Sequence, residues 1–65
     1  MTSAQYREAL DRIGLSRQRA GLFLGVSKRT GQRYATGEAE IPEGFARLLR
    51  LMVRLGLRAN SEEVR

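Results

Sequence analysis

Glycines at positions 14, 25, 37 and 56 divide the chain into short segments whose apolar residues recur at helical spacing. In the first segment, the apolar residues follow at i, i+3, i+4 and i+7, which places them on one helix face: Tyr6, Ala9, Leu10 and Ile13. No segment shows the apolar–polar alternation of a half-buried strand. The pattern therefore predicts an all-α fold.

Residues that can cap a helix precede these segments. Thr2 followed by Gln5 is a candidate capping box, and Ser16 and Ser27 are candidate N-caps. Pro42 suits the first turn of a helix, where its missing N–H is not needed. Four helices are thus predicted, at about 3–13, 17–24, 28–36 and 42–55.

The length of 65 residues allows one small domain, and domains of this size are only marginally stable. Because cysteine and histidine are absent, disulfides, Cys/His zinc sites and His or Cys catalysis are excluded. Self-association is the support that remains. We expect a domain over residues 1–56 and a polar tail over 57–65, in which Asn60 or Ser61 could start a fifth short helix.

The chain has no apolar run long enough to span a membrane, and residues 1–7 carry no signal-peptide pattern. We therefore expect a soluble, cytoplasmic domain without a cofactor or metal.

The positive charge is concentrated in the middle of the chain. Twelve Lys and Arg residues against seven Asp and Glu give a net charge of +5. Residues 16–37 contain no acid, whereas acids and bases balance in the rest of the chain. This distribution favours a surface that faces a polyanion, although a solvated polar surface is the alternative.

The two central segments are joined through residues 25–27, as in a helix-turn-helix. Gly25 can adopt the positive φ that a tight turn needs. Ala20, Gly21 and Gly31 are small enough to let the two helices cross closely.

The residues around this turn follow a spaced pattern. The turn glycine is Gly25, with the small residue Gly21 four positions before it and the apolar residue Val26 directly after it. The aromatic residue Tyr34 lies nine positions after Gly25. A later glycine and a later proline complete the pattern, at Gly37 and Pro42. With this pattern, residues 3–55 resemble the lambda-repressor-like (XRE or Cro-type) helix-turn-helix domains of phage and bacterial regulators. The resemblance implies a compact four-helix DNA-binding domain with its helix-turn-helix at about 16–36.

The chain departs from the family at two positions. Gly31 stands where Ile or Val is usual, and Ala35 where an acid is common. Glycine inside a helix costs about 0.5 to 1 kcal/mol relative to Ala. The second helix of the pair is therefore either weak or packed unusually close to its neighbour.

The resemblance implies two sets of DNA-contacting residues. Lys and Arg suit guanine and Gln suits adenine, and the residues that match base-reading positions of the family are Ser27, Lys28, Arg29, Gln32 and Arg33. The residues expected to contact phosphate are Arg17, Arg19 and Thr36. The alternative for each arginine is a simply solvated side chain.

The fourth helix has more apolar surface than one helix needs for seating on a core. Its polar strip is narrow, and the surplus apolar residues predict a homodimer interface made by Leu48, Leu51 and Leu55. The alternative is that Leu57 and Val64 fold back over this surface.

The sequence therefore predicts a sequence-specific regulator that binds double-stranded DNA. We expect a small, nucleoid-associated phage or bacterial repressor or autorepressor, acting as a homodimer on an inverted repeat. A protein-interaction module on the same scaffold is the alternative. RNA binding is disfavoured because A-form major grooves exclude a helix. Catalysis is disfavoured because no general base is paired with a nucleophile.

Overall fold

The computed structural model describes residues 1–59. In this range the chain forms four helices and no strand, so the predicted all-α class is confirmed. The helices are α1 (Ser3–Ile13), α2 (Arg17–Leu24), α3 (Lys28–Thr36) and α4 (Glu43–Leu55). None of these four helices has the length and apolar character needed to cross a bilayer.

The helix ends are determined by local caps. Gln5 N donates to Thr2 Oγ1 at 3.1 Å while Thr2 N donates to Gln5 Oε1 at 2.9 Å, which completes the predicted capping box. Ser16 caps α2 by accepting from Arg19 N, and Ser27 caps α3. A glycine in the left-handed conformation ends every one of these four helices, as the segment boundaries predicted.

Two details differ from the sequence prediction. Pro42 is the N-cap of α4 rather than its first residue, so the helix begins at Glu43. The first residues of the predicted tail contact the globule, because Ala59 is buried and its N–H donates to Ile13 O at 2.8 Å. The turn considered at Asn60 or Ser61 lies outside the described residues.

The core forms where α1 packs between α3 and α4. Its largest fully buried side chains are those of Tyr6, Leu10, Ile13 and Leu49. Tyr34 lies edge-on to Tyr6, with ring centroids 5.8 Å apart, and edge-on to Phe45 at 6.2 Å. This aromatic row links α1, α3 and α4, and it fixes the inner side of α3.

Candidate nucleic-acid interface

The inner side of α3 is held by backbone contact with α2 and by a tyrosine from α1. A Cβ built on Gly31 would lie 2.5 Å from both the Cα and the N of Gly21, so only glycine allows this approach. Tyr6 Oη donates to Gly31 O at 3.2 Å. Burial, with a smaller contribution from Tyr34, raises the pKa of Tyr6 to about 12, so the hydroxyl keeps its proton to a higher pH than an ordinary tyrosine does.

The Gly21–Gly31 contact resolves the alternatives left open for Gly31. The glycine is required by unusually close packing of the helix pair, which compensates for its low helix propensity. With Gly31, Tyr34 and Ala35 buried on the inner side, the opposite side of α3 faces solvent.

That solvent-facing side carries four of the five predicted base-reading residues, and the fifth, Ser27, is the exposed N-cap of α3. Lys28, Arg29, Gln32 and Arg33 are all exposed. Because α3 is seated through its other side, these four side chains project from a fixed helix, and we refer to them as the basic face. An exposed helix side of this kind can enter a groove without any rearrangement of the core.

A cleft of about 420 Å³ lies on one side of the basic face, where α1, α2 and α3 meet. Arg17 and Gln18 from α2 line it opposite Gln32 from α3. Arg7 lines it from α1, and its Nη1 donates to Ala35 O near the end of α3. The cleft thus brings two arginines from different helices to the edge of the basic face.

A smaller depression of about 230 Å³ lies on the other side. Arg29, Gln32 and Arg33 line it together with Glu38, which follows α3. Arg33 Nε is 3.7 Å from Glu38 Oε1, and both side chains remain accessible to solvent. The carboxylate therefore forms a solvent-exposed ion pair with the last arginine of the basic face.

The two hydroxyl side chains predicted to contact DNA, those of Ser27 and Thr36, make hydrogen bonds within the chain. Ser27 Oγ accepts from Thr30 N at 3.0 Å and donates to Thr30 Oγ1 at 2.9 Å. Thr36 Oγ1 donates to Arg33 O at 3.1 Å and accepts from Glu38 N at 3.4 Å. Each hydroxyl proton is thus used at an end of α3, which leaves mainly acceptor capacity for a ligand.

Arg19 lies outside the two clefts beside the basic face. Arg19 is exposed on α2, but it lines neither of the two clefts, whereas Arg17 two residues earlier lines the first. The two arginines therefore differ in position, although the sequence assigned both to phosphate.

The sequence prediction missed Arg7 and Glu38 as neighbours of the basic face. Arg7 lies outside the acid-free segment, and only the crossing of α1 over α3 places it beside Ala35. Glu38 lies in the polar link after α3 and contacts Arg33 across the end of the helix. The only sequence signal for this contact was that Glu38 follows Arg33 by five positions.

The predicted interface leucines of α4 lie on the surface. Leu48 is 41% exposed, Leu51 48% and Leu55 60%. Their own exposure shows that Leu57, which is 49% exposed, leaves them largely uncovered. Val64 lies outside the described residues.

No protein-family model matches this chain, and no curated protein or solved structure is significantly similar to it.

Proposed function

We propose that this chain is a sequence-specific regulator that binds double-stranded DNA by inserting α3 into the major groove. It is a small repressor or autorepressor of the phage or bacterial type, with a lambda-repressor-like arrangement of its helices. It acts in the nucleoid as a homodimer on an inverted repeat. It represses by occupying its operator.

The observation that carries this proposal is the basic face on a rigidly seated helix. Lys28, Arg29, Gln32 and Arg33 are exposed together, and residues 16–37 contain no acid that would repel phosphate. A B-DNA major groove, about 12 Å wide, admits one α-helix. Arg and Lys suit the acceptors of guanine, and Gln suits adenine, so this set of side chains can discriminate between bases.

The first cleft supports the same orientation. Arg7 and Arg17 lie at one edge of the basic face, where a helix in the groove meets the flanking phosphates. Contacts of this kind position a protein on the duplex without reading its sequence. The arrangement therefore supplies both classes of contact from one surface.

The test is a titration of random and selected duplexes at two salt concentrations. We expect binding to random duplex to weaken steeply with salt, because released counterions drive it. Selection from a random DNA pool should then yield a common motif that binds more tightly than random duplex. A matched control is Arg12→Ala, which removes one charge from the α1 surface outside both clefts and should change affinity little. Salt-independent or absent binding would refute the proposal.

The exposed leucines of α4 favour one second candidate, a protein-interaction module on the same scaffold. This candidate predicts protein binding that survives removal of Arg33 but is lost when Leu51 and Leu55 become Glu. It also predicts no selected DNA motif, which separates it from the first proposal.

A further inference from the structure

A groove of about 320 Å³ lies between α1 and α4, apart from the two clefts beside the basic face. Ala9 from α1 and Val53 from α4 give it apolar surface. Val53 is two residues from both Leu51 and Leu55, so it points to a different side of α4 from these exposed leucines. The groove is thus a separate surface, and we refer to it as the α1–α4 groove.

Arginines line both walls of the α1–α4 groove. Arg12 belongs to α1, whereas Arg50 and Arg54 belong to α4. Arg12 Nη2 lies 3.1 Å from Glu8 Oε2, and Arg50 Nη1 lies 3.7 Å from Glu43 Oε2 at the surface. Within residues 1–59, Arg54 forms no ion pair, and Glu8 supplies the only carboxylate in the lining. The lining therefore carries an excess of positive charge, which favours an anionic occupant.

The described part of the chain ends beside this groove. The helix α4 ends one residue after Arg54, and α1 ends at Ile13, one residue after Arg12. Ala59 is buried, and its N–H donates to Ile13 O at 2.8 Å. Residues 56–59 thus join the ends of the two helices that form the groove, and the chain leaves the described part next to Arg12.

The segment that follows has the charge and the length to occupy the groove. Residues 60–65 include two adjacent acids and one apolar residue, Glu62, Glu63 and Val64. The two acids lie three and four residues beyond Ala59, which an extended chain spans with about 10 to 14 Å. Along α1, Arg12 and Glu8 are separated by only about 6 Å. Both carboxylates can therefore reach the arginines of the groove.

We propose that residues 60–65 lie extended in the α1–α4 groove of their own chain. Successive side chains of an extended segment point to opposite sides, so Glu62 and Glu63 face opposite walls. Glu62 pairs with Arg54 on the α4 wall, and Glu63 pairs with Arg12 on the α1 wall. The segment thereby supplies the negative charge that the lining lacks.

The same register accounts for the apolar surface of the groove. Val64 lies on the same side of the extended segment as Glu62, so it packs on Val53 of the α4 wall. The arginines of a filled groove are not available to phosphate, which leaves the basic face free as the surface for a polyanion. The inference goes beyond the proposed function, because it involves no residue of the basic face or of the two clefts beside it.

Disulfide trapping within one chain tests this position, because the chain has no cysteine of its own. The groove pair carries Val64→Cys with Val53→Cys, and the comparison pair carries Val64→Cys with Leu51→Cys. The two loops that would be closed differ by only two residues, so their closure entropies are nearly equal. Both variants are oxidised mildly at low concentration, so that bonds form within chains. We expect the groove pair to close about ten times faster or more, because docking raises the effective concentration of its thiols. Equal rates, or faster closure of the comparison pair, overturn the proposal.

Removing the acids tests whether charge holds the segment. Glu62→Gln combined with Glu63→Gln, made in the groove pair, keeps the size of both side chains and should slow closure to the rate of the comparison pair. Glu38→Gln combined with Glu40→Gln makes the same change of net charge in the link after α3, and should leave the rate unchanged. An unchanged rate without the two acids of the segment, or equal slowing by both double substitutions, overturns the proposal. Neither measurement involves DNA, so its result is independent of the proposed function.

Discussion

Gly21 on α2 and Gly31 on α3 are in backbone contact, and neither position has room for a side chain. A Cβ on Gly31 would lie 2.5 Å from the Cα of Gly21, and a Cβ on Gly21 would overlap the carbonyl oxygen of Ser27. The turn between the helices and their crossing are therefore fixed by one contact. Because α3 carries the basic face, this contact also determines how that face is presented.

The first prediction tests this contact with Gly31→Ala. The added methyl must displace backbone, which costs about 1 to 3 kcal/mol in a well-packed interior and exceeds the gain in helix propensity. Gly44→Ala is the matched control, since it adds the same methyl in the first turn of α4, where a Cβ meets no other atom of the chain, and should change the free energy of unfolding by less than about 1 kcal/mol. Urea denaturation at equal chain concentration compares the two variants. Equal stability of Gly31→Ala and Gly44→Ala would show that α2 and α3 are not in backbone contact at Gly31.

The second prediction concerns alkaline pH. The pKa of Tyr6 rises from 10.0 to about 12 on folding, so above pH 10 the unfolded chain loses a proton that the folded chain keeps. The free energy of unfolding should then fall between about pH 10 and pH 12, by about 1.4 kcal/mol per pH unit for this one group. Tyr6→Phe should be less stable at pH 7, because the hydrogen bond to Gly31 O is lost. Its free energy of unfolding should nevertheless fall less steeply between about pH 10 and pH 12. If the free energy of unfolding fell equally steeply with pH in the wild type and in Tyr6→Phe, the raised pKa of Tyr6 would be contradicted.

The third prediction separates base reading from phosphate contact under the proposed function. Arg33→Ala should lose about 1 to 3 kcal/mol on the selected site while retaining most affinity for scrambled duplex. Arg17→Ala should weaken binding to both and reduce the salt slope by about one unit. Titrations of both variants on both duplexes, at two salt concentrations, measure the difference. If Arg33→Ala lost the same affinity for both duplexes, Arg33 would be identified as a phosphate contact.

The fourth prediction concerns the acid beside the basic face. Glu38 Oε1 lies 3.7 Å from Arg33 Nε, so under the proposed function this carboxylate repels phosphate at the DNA interface. Glu38→Gln should therefore raise affinity for every duplex about two- to fivefold, as expected for a single exposed charge, and increase the salt slope. Glu40→Gln makes the same charge change in the same link and provides the comparison. A larger gain for Glu40→Gln would indicate that Glu38 is not at the interface.

The fifth prediction concerns the DNA site. A two-fold pair of reading helices implies inverted half-sites with centres about 34 Å apart, one turn of the duplex. Inserting about five base pairs between the half-sites turns them to opposite faces and should reduce affinity toward that for one half-site. Inserting a full turn of about ten base pairs keeps the faces aligned and is the control. Undiminished affinity after the shorter insertion would exclude paired half-sites.

The sequence by itself determined the helices and their inner sides. Each helix end depends on groups within a few residues, such as the hydroxyl of Ser16 that accepts from Arg19 N, so local order suffices to predict it. The burial of Tyr6 and Leu10 follows from helical periodicity alone. Exposure of Arg33 was predictable for the same reason.

Only the tertiary structure decided which residues of different helices meet. That Gly31 is required by contact with Gly21, and that Arg7 lies beside Ala35, depends on how closely and at what angle the helices cross. The burial of Ala59 against Ile13 depends on the same packing. Crossing angles result from the interlocking of side chains over whole helices, which no local pattern contains.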